Sequence, residues 1–157
     1  MEPKECTDLA SLDPLTESTL VEMVKGRYEE AKLRPFGGRS QHGLIYTRAG
    51  PVIVAVNPLC PVPDLYTVGL RKKYHRIAHL ELIRDRDGTP ADDMGGDDAE
   101  EDTPHIYEVS GRAYHRMREG RCQAIVINGE SGAGKTETTK LLLHYLSEVA
   151  TATAAGT

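Results

Sequence analysis

The sequence is poor in aromatic side chains and in cysteine, and it contains no long apolar run. Its 157 residues include no tryptophan, one phenylalanine and three cysteines. Cys6, Cys60 and Cys122 are odd in number and far apart, which argues against a disulfide framework and against a C-x-x-C motif. A membrane-spanning helix needs about 20 apolar residues, and none is predicted. The polar, acidic start lacks the features of a signal peptide, so we expect a cytoplasmic protein with reduced thiols.

The negative charge of the chain is concentrated in one stretch. The net charge is -5, yet residues 85–104 alone carry nine carboxylates against one arginine. This stretch has no hydrophobic periodicity, so the sequence predicts a disordered acidic surface insertion there. The rest of the chain is mildly basic, which suits an anionic ligand without indicating nucleic acid.

The remaining sequence predicts an α/β arrangement with one clear helix near each end. Asp13 and Pro14 are expected to begin the first helix, and the tail 151–157, which has no core-forming pattern, is expected to be unstructured. In the helix after the insertion, four apolar residues at helical spacing predict one buried stripe: Ile106, Val109, Ala113 and Met117. The other predicted elements are a hairpin at 44–47 and 52–57, a basic helix at 69–84, a buried strand at 122–128 and a helix after residue 135. Four residues of this last helix are expected to face inward: Leu142, Tyr145, Leu146 and Val149.

One motif carries specific chemistry. Residues 129–136, GESGAGKT, match G-x-x-x-x-G-K-[ST] in full and lie between a predicted buried strand and a predicted helix. The residues of this loop are Gly129, Glu130, Ser131, Gly132, Ala133, Gly134, Lys135 and Thr136.

Each position of the motif has a physical role. The glycines lack a Cβ, so the backbone can curl its amides around an anion, and the following helix adds its N-terminal amides. Lys135 is expected to reach the β- and γ-phosphates, and the Thr136 hydroxyl is expected to ligate Mg²⁺. The predicted ligand is therefore a nucleoside triphosphate with magnesium.

Hydrolysis requires further groups that this sequence does not display. A P-loop enzyme also needs an acidic residue at the end of a second strand and a group that positions water. The segment most similar to such a strand is HLELIRD, which ends at Asp85, and we do not expect it to supply the acidic residue. No catalytic residue is identified, and whether the chain is an enzyme stays open.

Several segments together resemble the myosin motor head. QAIVINGESGAGKTETTK closely resembles its phosphate loop and the helix that follows, and LIYTRAGPVIVAVNP is similar to its IYTY-x-G-x-x-LVAVNP hairpin. DLASLDPLTESTLVEMVKGRY and PHIYEVSGRAYHRM resemble its opening and the helix before the phosphate-loop strand. The resemblance covers residues 8–150 except for the acidic insertion, which has no counterpart in a typical head.

The resemblance implies fold, ligand and partners. It implies a partial P-loop NTPase fold, that is, an incomplete motor domain with a mixed sheet and flanking helices. It places Asn57, Pro58 and Tyr66 beside the purine of ATP. In the intact family, actin-activated ATP hydrolysis drives movement along actin filaments, so actin, light chains and a place in the cytoskeleton are implied. The segments that resemble switch I, switch II and the actin-binding surface are absent from these 157 residues.

Two alternatives remain open. The first is a truncated binding module that holds nucleotide without hydrolysing it, and the second is an unrelated small P-loop ATPase or kinase.

Other signals favour ordinary surface roles. His75 and His79 are four residues apart but lack a third ligand in the sequence nearby, and the basic residues at 71–76 are one short patch.

Overall fold

The structure, a computed structural model, describes residues 7–33, 45–88 and 103–155. Its internal contacts divide the chain into two units. The described part of the first unit comprises residues 7–33, 45–65 and 103–105, and that of the second comprises residues 66–88 and 106–155. The phosphate-loop motif lies in the second unit.

The sheet of the first unit is the predicted hairpin. Strands β1 (Tyr46–Ala49) and β2 (Val52–Ala55) pair antiparallel, with Tyr46 opposite Ala55 and Ala49 opposite Val52. Gly50 has φ 57°, a left-handed conformation that glycine adopts without a steric penalty. The hairpin prediction is confirmed, although β1 begins and ends two residues later than expected and β2 ends two residues earlier.

Helix α1 (Glu17–Leu33) begins three residues after the predicted start at Pro14. Its first turn is closed by two threonines in a reciprocal arrangement. The Thr19 amide donates to Thr16 Oγ1 at 3.2 Å, and the Thr16 amide donates to Thr19 Oγ1 at 3.0 Å. This exchange is the hydrogen-bond pattern of a capping box, and it replaces the cap expected from Asp13.

The N-terminal segment of the first unit is fastened to the hairpin by Asp8. Its carboxylate accepts hydrogen bonds from the amides of Ala10 at 2.9 Å and Gly50 at 3.1 Å, and these bonds lower the pKa of Asp8. Behind it, Leu9 and Met23 form a small apolar core.

Three helices make up most of the second unit. They are α2 (Val68–Asp87), α3 (Ile106–Arg118) and α4 (Lys135–Ala155). Thr67 caps α2 at its start, and Gly88 with φ 67° ends it. Helix α3 packs against both of the others.

Helices α2 and α3 approach closely at Gly111. A Cβ on Gly111 would lie 2.8 Å from the Ala78 Cβ, 3.2 Å from the Tyr74 carbonyl oxygen and 3.0 Å from the Tyr145 hydroxyl. Beside this crossing, the rings of Tyr107 and Tyr145 stack with centroids 5.0 Å apart. Burial raises the pKa of Tyr145, so its hydroxyl stays protonated in the interior.

The predicted stripe on α3 is only partly correct. Ile106 is buried, but Met117 at the other end of the stripe is 54% exposed. The buried set instead includes Tyr107, Ser110, Gly111, Tyr114 and His115. Because α3 contacts helices on two sides, its burial does not follow a single stripe.

The predicted strand at 122–128 is not part of a sheet in the described ranges, whose only ladder is β1 with β2. The side chains of this segment nevertheless alternate between a groove and the solvent. Gln123, Ile125 and Ile127 line an apolar groove together with residues of α3 and α4, whereas Val126 is 87% exposed. The prediction of a strand buried on both faces is therefore wrong, since an apolar sequence supplies no ladder partner by itself.

Two helices extend further than the sequence predicts. Residues 85–87, assigned from the sequence to the acidic insertion, form the last helical residues of α2, and residues 89–102 lie outside the described part of the chain. Helix α4 continues to Ala155, past the expected start of an unstructured tail at residue 151. The Thr153 hydroxyl supports this extension by donating to the Val149 carbonyl and accepting from Tyr114. No helix in the described ranges is long and apolar enough to cross a membrane.

Candidate phosphate-binding site

The loop between residue 128 and α4 is shaped by its glycines. Gly129, Gly132 and Gly134 all have positive φ, at 154°, 82° and 92°. Residues other than glycine rarely adopt these backbone angles. At Gly129 a Cβ would also lie 3.2 Å from the Ala133 Cβ, because the loop folds back on itself. The three glycines of the motif are therefore required by the observed backbone.

The lysine of the motif lies against the loop that precedes it. Lys135 Nζ donates to the carbonyl oxygens of Gly129 and Glu130, both at 2.7 Å. Within the loop, the Ala133 amide donates to the Glu130 carbonyl at 3.2 Å and closes a turn. The cation and the glycine backbone thus form one structural element.

The start of α4 contributes the second part of the site. The helix begins at Lys135, and its first regular bond runs from the Thr138 amide to the Gly134 carbonyl at 2.9 Å. The amides of a first helical turn have no acceptor within the helix, and the helix dipole places partial positive charge there. This arrangement is typical of an anion-binding helix N-terminus.

The loop is open to solvent. Residues 129–133 and Thr136 are exposed, whereas Gly134 and Lys135 are half-buried. Thr136 stands at the second position of α4, so its hydroxyl can reach a ligand held by the loop. No group of three or more His, Cys, Asp or Glu side chains among the described residues is placed to hold a metal ion.

The residues assigned to the purine lie in different parts of the chain. Asn57 and Pro58 belong to the first unit, and Tyr66 belongs to the second, with the loop. The Asn57 side-chain oxygen accepts from the Leu59 amide at 3.0 Å, and Leu59 has φ 55°. Asn57 therefore stabilises a tight turn, as asparagine before proline often does.

Tyr66 is held by its neighbours in the second unit. Its ring meets the Tyr107 ring edge-on, with centroids 6.3 Å apart. Its carbonyl accepts from Arg71 Nη1 at 2.9 Å. The aromatic packing and the backbone contact fix Tyr66 relative to the start of α2.

Arg71 joins α2 to the helix that follows the phosphate loop. Its guanidinium pairs with Glu148 of α4 through Nε and Nη2, the latter at 3.1 Å. Burial opposes its charge, but the Tyr107 hydroxyl and Glu148 favour it, and the net effect raises the pKa of Arg71. The sequence placed Arg71 in a solvated basic patch, and no local signal pairs it with a residue 77 positions away.

Asp85 is the residue whose sequence context is most similar to the end of a magnesium-binding strand. In the structure it lies within helix α2. The structure therefore supports the expectation that HLELIRD does not supply the second acidic group of a P-loop enzyme.

A glycine loop, a lysine and a helix N-terminus together define the geometry of a phosphate-binding loop. The family model described as "Myosin head (motor domain)" matches residues 6–156. The chain is 34% identical over 143 residues to unconventional myosin-Ia of Gallus gallus, covering 90% of this chain and 10% of that protein. It is 35% identical over 141 residues to the myosin-I heavy chain of Dictyostelium discoideum, covering 89% and 5%.

Myosin-16 of Arabidopsis thaliana is 36% identical over 121 residues, covering 76% of this chain and 8% of that protein. This chain belongs to the myosin head family and forms part of a myosin motor domain. It spans only a small part, 4% to 10%, of the length of the curated relatives named here and of the myosin-IX proteins that also match. The resemblance stated from the sequence is confirmed.

Proposed function

We propose that residues 129–136 bind the phosphates of ATP and that this chain is the nucleotide-binding part of an actin-based motor. The observation that carries the proposal is the position of Lys135, whose ammonium lies 2.7 Å from two carbonyl oxygens of the loop at the N-terminus of α4. Positive charge and backbone amides converge there, which suits a polyphosphate.

Each residue of the motif has a proposed part. The amides of Gly129, Glu130, Ser131, Gly132, Ala133 and Gly134 surround the phosphates, and Lys135 neutralises their charge. The Thr136 hydroxyl supplies one oxygen ligand to Mg²⁺, and phosphate oxygens supply others. A partial P-loop NTPase fold is the arrangement that this loop and helix support.

The purine is proposed to lie beside Asn57, Pro58 and Tyr66. Membership of the myosin head family supports this assignment, because the resemblance places these three positions beside the base. Membership of the myosin head family supports actin filaments as the partner, light chains elsewhere in the full-length protein, and a cytoplasmic, cytoskeletal location.

The proposal is tested with the full-length protein that carries this chain. ATP turnover is measured with and without actin filaments for the wild type, Lys135→Ala and Lys140→Ala. Lys140 is a matched control, since it is an exposed cation on the same helix, paired with Glu137 at 2.7 Å. We expect actin to accelerate turnover in the wild type, and Lys140→Ala to stay within about twofold of it.

Lys135→Ala should lose turnover both with and without actin, because the phosphates lose their cation. Undiminished turnover in Lys135→Ala would overturn the assignment of the loop. If the ATP turnover rate depends on Lys135 but is the same with and without actin, the proposed motor function is overturned and the proposed nucleotide binding is retained.

A further inference from the structure

Three histidines meet where α2 packs on α3. The rings of His75 and His115 stack with centroids 4.7 Å apart and an angle of 18°, and the His79 ring lies 5.1 Å from that of His115. His115 is 6% exposed and His79 is exposed. The sequence suggested only the pair on α2, since His115 is 36 residues beyond His79.

The hydrogen bond between the helices defines the neutral form of the buried ring. His115 Nε2 lies 3.3 Å from the His75 carbonyl oxygen. A carbonyl only accepts, so Nε2 carries the hydrogen and Nδ1 of neutral His115 has none. His75 Nδ1 is buried and has no hydrogen-bond partner in the described part of the chain. A proton added there would be a buried donor without an acceptor, which is unfavourable.

The charged groups that shift the pKa values of the two stacked histidines are positive. Two carboxylates, Glu81 and Asp85, also line a cavity with His115, together with Arg84, Arg112 and Arg116, and Glu81 is paired with Arg112. Burial lowers the pKa of His75, and His79 of α2 and Arg118 of α3 lower it further. Burial is also the main cause that lowers the pKa of His115, with His75, His79 and Arg118 adding to it and the bond to His75 opposing it. From α4, the neutral Thr153 hydroxyl reaches Tyr114, whose ring lies 5.9 Å from His75.

We propose that the stacked rings of His75 and His115, with His79 beside them, make the packing of α2 on α3 sensitive to pH, tight when the two stacked imidazoles are neutral and loosened when they gain protons. Two stacked rings can share this space when uncharged, whereas two imidazolium ions 4.7 Å apart repel each other in partly desolvated surroundings. The proposal does not depend on nucleotide binding.

The direction of the effect follows from linkage. The folded pKa values of His75 and His115 lie below the ordinary value of 6.5. The packed form therefore binds fewer protons than the opened form, and packing is most stable above pH 6.5. As the pH falls below that value, the opened form takes up protons first and becomes more populated. Each unit of pKa difference increases the opened population by up to about tenfold.

Amide hydrogen exchange tests this in the full-length protein at pH 7.5 and pH 5.5, with each rate divided by that of the unfolded protein at the same pH. We expect corrected exchange in α2 and α3 to be faster at pH 5.5 by more than about threefold. His115→Gln should remove most of this acceleration. His79→Gln, an exposed substitution that removes a neighbour which disfavours protonation of both stacked rings, should reduce it even if the buried variant fails to fold.

His144→Gln is the matched control, since His144 is 59% exposed on α4 beside Glu148. It should behave as the wild type. Equal corrected exchange at the two pH values in the wild type, or an acceleration that His79→Gln leaves unchanged, would overturn the proposal.

Discussion

The Lys135 ammonium donates a hydrogen bond to the carbonyl oxygen of Gly129 at 2.7 Å. This bond joins the first residue of the glycine loop to the first residue of α4. The contact holds the loop closed around its own backbone and places one positive charge beside the N-terminal amides of the helix. Nucleotide binding is therefore expected to depend on this closure and on the packing that supports α4.

Gly132→Ala should weaken nucleotide binding through the backbone. Gly132 has φ 82° and nothing within 4 Å of the place where a Cβ would stand, so the substitution introduces strain without a clash. A left-handed non-glycine residue costs about 1–2 kcal/mol, which corresponds to about a five- to thirtyfold loss of ATP affinity. Isothermal titration with magnesium-ATP measures the change.

Gly120→Ala is the control for this strain. Gly120 has φ 81° and equally open surroundings, but it follows α3 and lies outside the loop. It should leave the affinity for ATP unchanged. Equal losses of affinity in the two variants would show that general strain, and not the loop, governs binding.

Gly111→Ala should destabilise the contact between α2 and α3. The new methyl group would lie 2.8 Å from the Ala78 Cβ and 3.2 Å from the Tyr74 carbonyl oxygen, neither of which can swing away. Overpacking of this kind costs about 1–3 kcal/mol. The free energy of local opening, measured by amide exchange in the two helices, should fall by that amount.

Gly69→Ala provides the comparison on the same pair of helices. Its nearest neighbour would be Thr67 Oγ1 at 3.8 Å, an ordinary contact. Alanine favours a helix over glycine by about 1 kcal/mol, so this variant should be neutral or stabilising. A destabilised Gly69→Ala would contradict the assignment of the cost to the Gly111 crossing.

The Arg71–Glu148 pair should couple α2 to α4. The Arg71 side chain is 11% exposed and that of Glu148 is 41% exposed, so solvent screens the pair only in part. A double-mutant cycle with Arg71→Met and Glu148→Gln should give a coupling of about 1–2 kcal/mol in local unfolding. The exposed pair Lys140–Glu137 should give less than about 0.5 kcal/mol in the same measurement. Equal couplings would mean that burial of Arg71 adds nothing.

The parts of the fold that were predicted correctly depend on local sequence. The β1–β2 hairpin follows from β-branched runs around Gly50, and the glycine loop follows from a motif whose spacing dictates its backbone. The inward face of α4 also follows its periodicity, with Leu142, Tyr145 and Val149 buried and Leu146 partly buried. In each case the determining residues are close together in the chain.

The incorrect predictions concern partners that are distant in sequence. The apolar residues 122–128 predict burial, but a sheet position also needs neighbouring strands, and Val126 stays exposed without them. Met117 is exposed although it continues the stripe of Ile106, because the helices around α3 determine which side is covered. Neither Glu148 opposite Arg71 nor His115 beside His75 could be inferred from residues nearby.

The most direct test of the phosphate site is equilibrium dialysis of the full-length protein with magnesium-ATP, ADP and AMP. In the wild type, affinity should fall sharply from ADP to AMP if the loop and Lys135 hold the β-phosphate as proposed. Lys135→Ala should bind ATP at least about tenfold more weakly, the loss expected for one charge-assisted hydrogen bond. An unchanged ATP affinity in Lys135→Ala would contradict the phosphate site that we assign to residues 129–136.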